Sequence, residues 1–387
     1  MKKIVITLSA VFSLISLVAC DGILHISDLK VESKGHFTQE QLNYLKSEDY
    51  TDTSPYNGNM SISKPEPVVF TWKSNYKKDI EFGIIDGGGR LSHEFDKPQY
   101  NYKVKGNRFE FYNPIFKTDE IGNTSCFLFF DNISGESGIY FSEEVTVSGP
   151  RNVYVDGVEN MRDIGGWGKF NDKGQYITYM KQGMLYRSGR FNEDKETDVK
   201  VSISENGLYE VNNHLMIKTE IDLRKTSTNE VGGLTTKSVL GDNVNYIQLP
   251  MAFNGNNILT FKGKVSGDTY EYDNPAMIKR FFEILADKNN YPIDYHCSIG
   301  KDRTGCLSYL VEGLMGFEKE HMYRDYMFTN FADAGLCKIT DITDRYGKTI
   351  DEYENGETLQ EKVYNYLNEV IGVSKENLDK VINNLKA

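Results

Sequence analysis

The rhythm of apolar and polar positions changes twice along this chain. Met1-Lys2-Lys3 precedes an apolar run from Ile4 to Ala19, and residues 21–60 are polar and turn-rich, with one short helical stretch at Gln39–Glu48. From residue 64 the pattern becomes all-β. Val68–Trp72, Ile80–Ile85, Tyr102–Tyr112, Ser125–Asp131 and Gly138–Val147 are short aromatic and β-branched segments, parted by turns such as Asp86-Gly87-Gly88-Gly89. Strands of this kind at this spacing predict a β-sandwich over 61–149, loosely immunoglobulin-like or fibronectin-III-like. Ser148-Gly149-Pro150 punctuates the join to the C-terminal part of the chain.

After the join, strands alternate with helices. Val153–Val155, Met184–Arg187, Glu220–Leu223, Tyr246–Leu249 and Ile293–His296 read as strands; Ser204–His214 and Asn274–Ala286 read as helices. In the second helix Asn274 is placed to cap, Pro275 fits the first helical position, and apolar residues recur at 277, 278, 281, 282 and 285. Such alternation predicts an α/β domain over 150–387, with a central, mostly parallel sheet flanked by helices. Residues 331–358 read as an irregular polar insertion, and two helices, Leu359–Val370 and Ser374–Leu385, close the chain.

Composition narrows the function. The formal net charge of the 387 residues is −12, and removal of Lys2 and Lys3 makes it two units more acidic. That argues against nucleic acid as a partner, and against broad attraction to anionic lipid. A basic start with a short apolar run reads as a secretory signal over 1–20, too short to favour a membrane span. Leu17-Val18-Ala19-Cys20 resembles a bacterial lipobox, which makes Cys20 a candidate for acylation. The expected location is the bacterial cell envelope, lipid-anchored and facing the periplasm or the cell surface. A plain signal peptide is the competing reading. Residues 21–60 are a linker or the start of the β domain, whose own partner the sequence does not reveal.

The chemistry concentrates in Tyr295-His296-Cys297-Ser298-Ile299-Gly300-Lys301-Asp302-Arg303-Thr304-Gly305. Five residues between a Cys and an Arg suffice for one tight loop whose amides face a dianion. A strand-like Pro292–His296 enters the loop and an apolar run, Cys306–Met315, leaves it, so a helix N-terminus also faces the anion. Arg303 can hold two phosphate oxygens at once, and the same positive field lowers the thiol pKa of Cys297. Cys297 is the candidate nucleophile, with Ser298, Ile299, Gly300, Lys301 and Thr304 in the phosphate-binding loop and His296 tuning the cysteine. Asp302 beside Arg303 is expected to have a lowered pKa. The five cysteines and six histidines form no metal-ligand spacing, so neither metal nor cofactor is implied. Arg187 and Arg224 sit at strand ends and read as surface arginines of small consequence.

His-Cys-x-x-Gly-Lys-Asp-Arg-Thr-Gly resembles the loop of the bacterial and fungal tyrosine-phosphatase-like enzymes, a family that includes secreted mycobacterial and listerial phosphatases. Asn160-Met161-Arg162-Asp163-Ile164-Gly165-Gly166, Leu185-Tyr186-Arg187-Ser188-Gly189 and Ile221-Asp222-Leu223-Arg224 with Glu230 resemble that family's other segments, as does Asp325-Tyr326 through Asn330. The resemblance covers about residues 151–387 and implies a cysteine-dependent phosphatase. It implies an acid inside the cradle at Asp302, with Asp163 as the alternative; neither Trp72 nor Trp167 carries the Trp-Pro-Asp of the large tyrosine phosphatases. Asn160, Arg162 and Asp163 are expected to support the loop. Lys301 accompanies phosphoinositide activity in the family, so the expected substrates are phosphotyrosine proteins, with phosphoinositides or small phosphoesters as the alternative. A lipoprotein that binds phospholigands without turnover is the reading from another class.

Overall fold

The computed structural model describes residues 26–33, 38–56, 67–74, 80–85, 100–104, 106–113, 123–130, 140–146, 150–173, 176–192, 203–225, 236–253, 258–332 and 337–387. The signal segment, Cys20, the turn Asp86–Gly89 and Glu230 lie outside them.

Seven N-terminal strands form two antiparallel sheets among the described residues. One runs in the order Ile26–Ser33, Val68–Ser74, Arg108–Phe111, and the other Tyr100–Val104, Ile80–Ile85, Asn123–Phe130, Tyr140–Thr146. The single strand expected over Tyr102–Tyr112 is two strands in different sheets. Between them Gly106 adopts φ +86°, a conformation open to glycine that breaks the extended run.

The C-terminal half holds a six-stranded mixed sheet in the order Asn245–Gln248, Thr219–Asp222, Ile293–His296, Leu185–Ser188, Arg162–Asp163, Arg151–Asn152. The first four are parallel; the last two run antiparallel. The expected strand Val153–Val155 is displaced to Arg151–Asn152. Val153 and Val155 are apolar because they pack in a small core with Tyr186, Val211 and Leu215. Side chains alternate across a strand. Leu185, Ile221, Ile293 and Tyr295 therefore face the larger core, with Phe281, Leu310 and Leu378 from helices Asn274–Ala286, Asp302–Leu314 and Lys375–Leu385. Tyr186 faces the smaller one. Helix Asn274–Ala286 is capped by Asp273, not Asn274, whose amide instead bonds the backbone of Ala252 and Ile258.

The expected irregular insertion contains helices Thr340–Thr343 and Tyr346–Asp351. Ile342 from the first helix and Tyr346 and Ile350, four residues apart on one face of the second, are buried in the core.

One connection departs from the division into halves. The chain leaves the first sheet at Ser33, and residues 38–56 dock on the C-terminal half before the next strand begins at Val68. Helix Gln39–Leu45 opens with a capping box from Thr38 and Gln41. Tyr44 is fully buried against Phe331, ring centroids 5.6 Å apart. Arg324 donates to the carbonyls of Tyr44 (2.9 Å) and Ser47 (2.6 Å), and Asn330 donates to Thr53 (2.8 Å). The join at residue 150 is also bonded: Asn113 brackets the backbone of Tyr154, and Arg151 donates to the carbonyl of Asn113 at 2.6 Å.

Candidate active site

Cys297 directly follows the central strand Ile293–His296, and the helix Asp302–Leu314 begins five residues later. The loop between them is held from outside by three consecutive carbonyls. Arg190 donates to Ser298 O at 3.1 Å through its guanidinium and again through its backbone N–H. Asn160 donates to Ile299 O at 3.0 Å, and Arg187 donates to Gly300 O at 2.7 Å. In a planar trans peptide the N–H points opposite to the C=O. Pinning these carbonyls outward aims the N–H groups of Ile299, Gly300 and Lys301 to the inner side. Gly300 has φ +70°, and a Cβ there would lie 2.6 Å from Ser188 O. Glycine is thus required for both conformation and space.

Arg187, and Arg162 behind Asn160, are themselves fixed. Asp325, on helix Lys319–Phe328, takes Arg162 Nε at 2.9 Å, Arg187 Nη1 at 2.6 Å and Trp167 Nε1 at 3.1 Å. Arg162 also bonds the side chain of Asn160. Burial would raise the Asp325 carboxyl, but the two guanidiniums and Trp167 bring it down to about 2. Arg187 and Arg224 are buried, contrary to the surface reading. Arg224 pairs with Asp222 at 2.6 Å, as part of the floor. Arg190, which the sequence did not single out, is fully buried.

Beneath the cysteine, His296 bonds Glu220 at 3.0 Å and the carbonyl of Cys297 at 3.2 Å. Burial disfavours the imidazolium, yet Asp222 and Glu220 outweigh it and raise the pKa to about 9. Both ring nitrogens are then donors, and a cation sits under the loop. Cys297 is buried; burial alone would raise its thiol, but Arg303 and the hydroxyl and N–H of Thr304 turn the net direction down. Arg303 is oriented by Leu223 O at 3.2 Å. Cys306 faces the core with its thiol pushed up by burial, and Cys337 is buried as well.

The two candidate acids part company here. Asp163 is fully buried and occupied: it takes Arg151 at 2.8 Å and the N–H groups of Gly165 (2.9 Å) and Gly183 (2.6 Å). Asp302 stands in the first turn of the loop helix with its carboxyl partly exposed. Its pKa is raised, not lowered: burial pushes it up further than Lys301, Arg303 and Arg345 pull it down. Among the described residues no group of three or more His, Cys, Asp or Glu is placed to hold a metal ion.

A thiol biased toward thiolate, under inward amides and beside an arginine, at the carboxyl end of a central parallel strand, defines a cysteine-type phosphatase. The chain belongs to the tyrosine phosphatase family, whose profile matches residues 153–387. No curated protein matches it significantly. Among solved structures it is similar to the core catalytic domain of the PP-IP phosphatase SIW14 from S. cerevisiae in complex with citrate, at 16% identity over 45% of this chain and 91% of that one, with a TM-score of 0.29. It is likewise similar to a second structure of the Siw14 catalytic core, at 15% identity over 46% of this chain and 85% of that one, with a TM-score of 0.27.

Proposed function

We propose that this phosphatase hydrolyses phosphotyrosine through a cysteinyl-phosphate intermediate. The observation that carries the reading is the loop with three pinned carbonyls around Cys297. The thiolate attacks phosphorus as the P–O bond to the phenol breaks. Arg303 and the loop amides hold the three equatorial oxygens, and the proton of Asp302 goes to the leaving oxygen. Water then attacks the phosphocysteine and gives a proton back to Asp302; inorganic phosphate leaves and the thiolate returns to Thr304. The raised pKa of Asp302 supports its role as the acid. The test is kcat/KM of the purified chain on a phosphotyrosine-peptide panel and a phosphoinositide panel. The peptides are expected to be better substrates by at least about tenfold, a difference of about 1.4 kcal/mol in transition-state binding. Phosphoinositides turned over faster would replace this substrate class with the alternative one, with Lys301 at the mouth as the second cation.

Two further proposals concern the rest of the chain. The strand orders of the two N-terminal sheets, three strands and four, support a fibronectin-III-like sandwich. Leu17-Val18-Ala19-Cys20 supports export with an acyl anchor. Full-length protein is then expected in the membrane fraction, and Cys20→Ala in the soluble one. Wild-type protein found wholly in the soluble fraction would refute the anchor.

A further inference from the structure

The helical segment that replaces the expected insertion reaches the mouth of the cradle through one ring of charges. Arg345 Nη1 lies 3.7 Å from Asp302 Oδ1, and Arg345 Nη2 lies 3.2 Å from Asp341 Oδ1. Asp341 Oδ2 closes the ring on Lys301 Nζ at 3.4 Å. Asp341 is the fixed point: the same Oδ2 accepts from the backbone N–H of Lys338 at 3.0 Å and from the Tyr326 hydroxyl at 3.3 Å. Arg345 is steadied from another side, its guanidinium over the Phe253 ring at 5.5 Å. The segment is rooted in the core by Ile342, Tyr346 and Ile350. The four ring side chains keep between 13% and 23% of their surface exposed, so the ring faces the opening.

We propose that Arg345 is a positioning residue for Asp302, holding its carboxyl at the opening so that the proton is delivered to the leaving oxygen. The proposal rests on Asp302 being the general acid. A carboxyl on the first turn of a helix has several rotamers, and proton transfer needs one of them. A fixed cation at 3.7 Å on one oxygen selects among them and leaves the other oxygen free of that contact. In the protonated acid the guanidinium faces the carbonyl oxygen, which leaves the proton on the other oxygen, the one turned to the leaving group. The groups facing Asp302 are Cys297, Lys301 and Arg303 on its own loop, Asp341, Arg345 and Tyr346 on the helical segment, Cys337 just before it, and Tyr326 on helix Lys319–Phe328. Arg345 is the one cation among them that comes from outside the loop. Loss of its charge therefore raises the pKa of Asp302 as well as freeing its carboxyl.

The experiment compares Arg345→Met, Arg345→Lys and Asp302→Asn on two aryl phosphates, one with an activated phenol and one with a poor leaving group. Methionine keeps a stem on Phe253 and removes the charge; melting curves confirm that each variant is folded. Arg345→Met is expected to lower kcat on the poor leaving group by about tenfold, a part of the hundred- to ten-thousand-fold that a general acid contributes. On the activated substrate kcat stays within about twofold, because that phenol departs unprotonated. KM is unchanged on both, and the alkaline limb of the kcat profile on the poor leaving group moves to higher pH. Arg345→Lys restores most of the loss. Equal losses on the two substrates, a change confined to KM, or no change at all would each overturn the positioning role. Asp302→Asn separates the two levels of the argument. Selective loss in that variant with unselective loss in Arg345→Met removes Arg345 alone; unselective loss in Asp302→Asn removes the acid, and this proposal with it.

Discussion

Cys297→Ser is expected to lose turnover of an aryl phosphate by at least about ten-thousand-fold, the scale on which removal of a nucleophile is felt. The structure biases the Cys297 thiol downward, with Arg303 and Thr304 outweighing burial. A serine hydroxyl begins too far from ionisation for that same field to make it an anion. The rest of the cradle is untouched, because Arg187, Arg190 and Asn160 grip carbonyls, not the sulfur. Binding of inorganic phosphate, followed as a thermal shift, is therefore expected to be retained or improved, since the variant no longer sets a thiolate against a dianion. Turnover at the wild-type rate would sink the covalent mechanism. Loss of phosphate binding together with turnover would show that the substitution had collapsed the loop.

Asp325→Asn is expected to cost about 3–5 kcal/mol of stability, the usual result of breaking a buried ion pair from one side. Arg162 and Arg187 are both buried and share this one carboxylate. Asparagine keeps the shape and can still accept from one of them, but two guanidiniums lose their counter-charge. Glu312 moderates the loss. Its carboxyl is buried and held well above its usual range, by burial first and by Asp325 second. With Asp325 neutralised, Glu312 is freer to ionise beside the arginines. The double variant Asp325→Asn/Glu312→Gln should therefore be less stable than the sum of the two single changes. Urea midpoints read the stability. Kinetics read the second consequence: a loosened Arg187 releases Gly300, and kcat/KM should fall by about tenfold or more as the amides lose their aim. The sign with pH comes from the depressed carboxyl. Its contribution is present above about pH 4 and is lost as pH falls through about 2, so the acid limb of the stability profile should be flatter in the variant. A variant as stable as the parent, with the same kcat/KM, would mean the network is ornamental.

The cradle was legible because its parts are neighbours in sequence: nucleophile, glycine, arginine and helix start fall within eleven residues. The props that aim it were not. Arg187 meets Gly300 across 113 residues and Asp325 across 138, and nothing local distinguishes such an arginine from a solvated one. Arg190 had a weak signal, lying just beyond Ser188-Gly189 at the end of a strand adjacent to the central one. The raised pKa of Asp302 was hidden for the same reason, since its burial comes in part from residues of the helical segment. That segment did carry a signal. Ile342, Tyr346 and Ile350 recur at helical spacing, but the surrounding Asp, Gly and Tyr drowned it.

The docked segment 38–56 has a consequence for the order in which the molecule can be made. Tyr44 and its receptor, Arg324, are 280 residues apart. A ribosome finishes the capped helix and its aromatic side chain long before helix Lys319–Phe328 exists. The early segment must remain undocked throughout that interval, and contacts of such range close slowly because the chain entropy is lost before they form. The contacts around Arg324 and Asn330, one and five residues from Asp325, are of this long range. Docking of residues 38–56 can therefore only follow synthesis of helix Lys319–Phe328, the same helix whose Asp325 anchors Arg162 and Arg187 behind the phosphate loop.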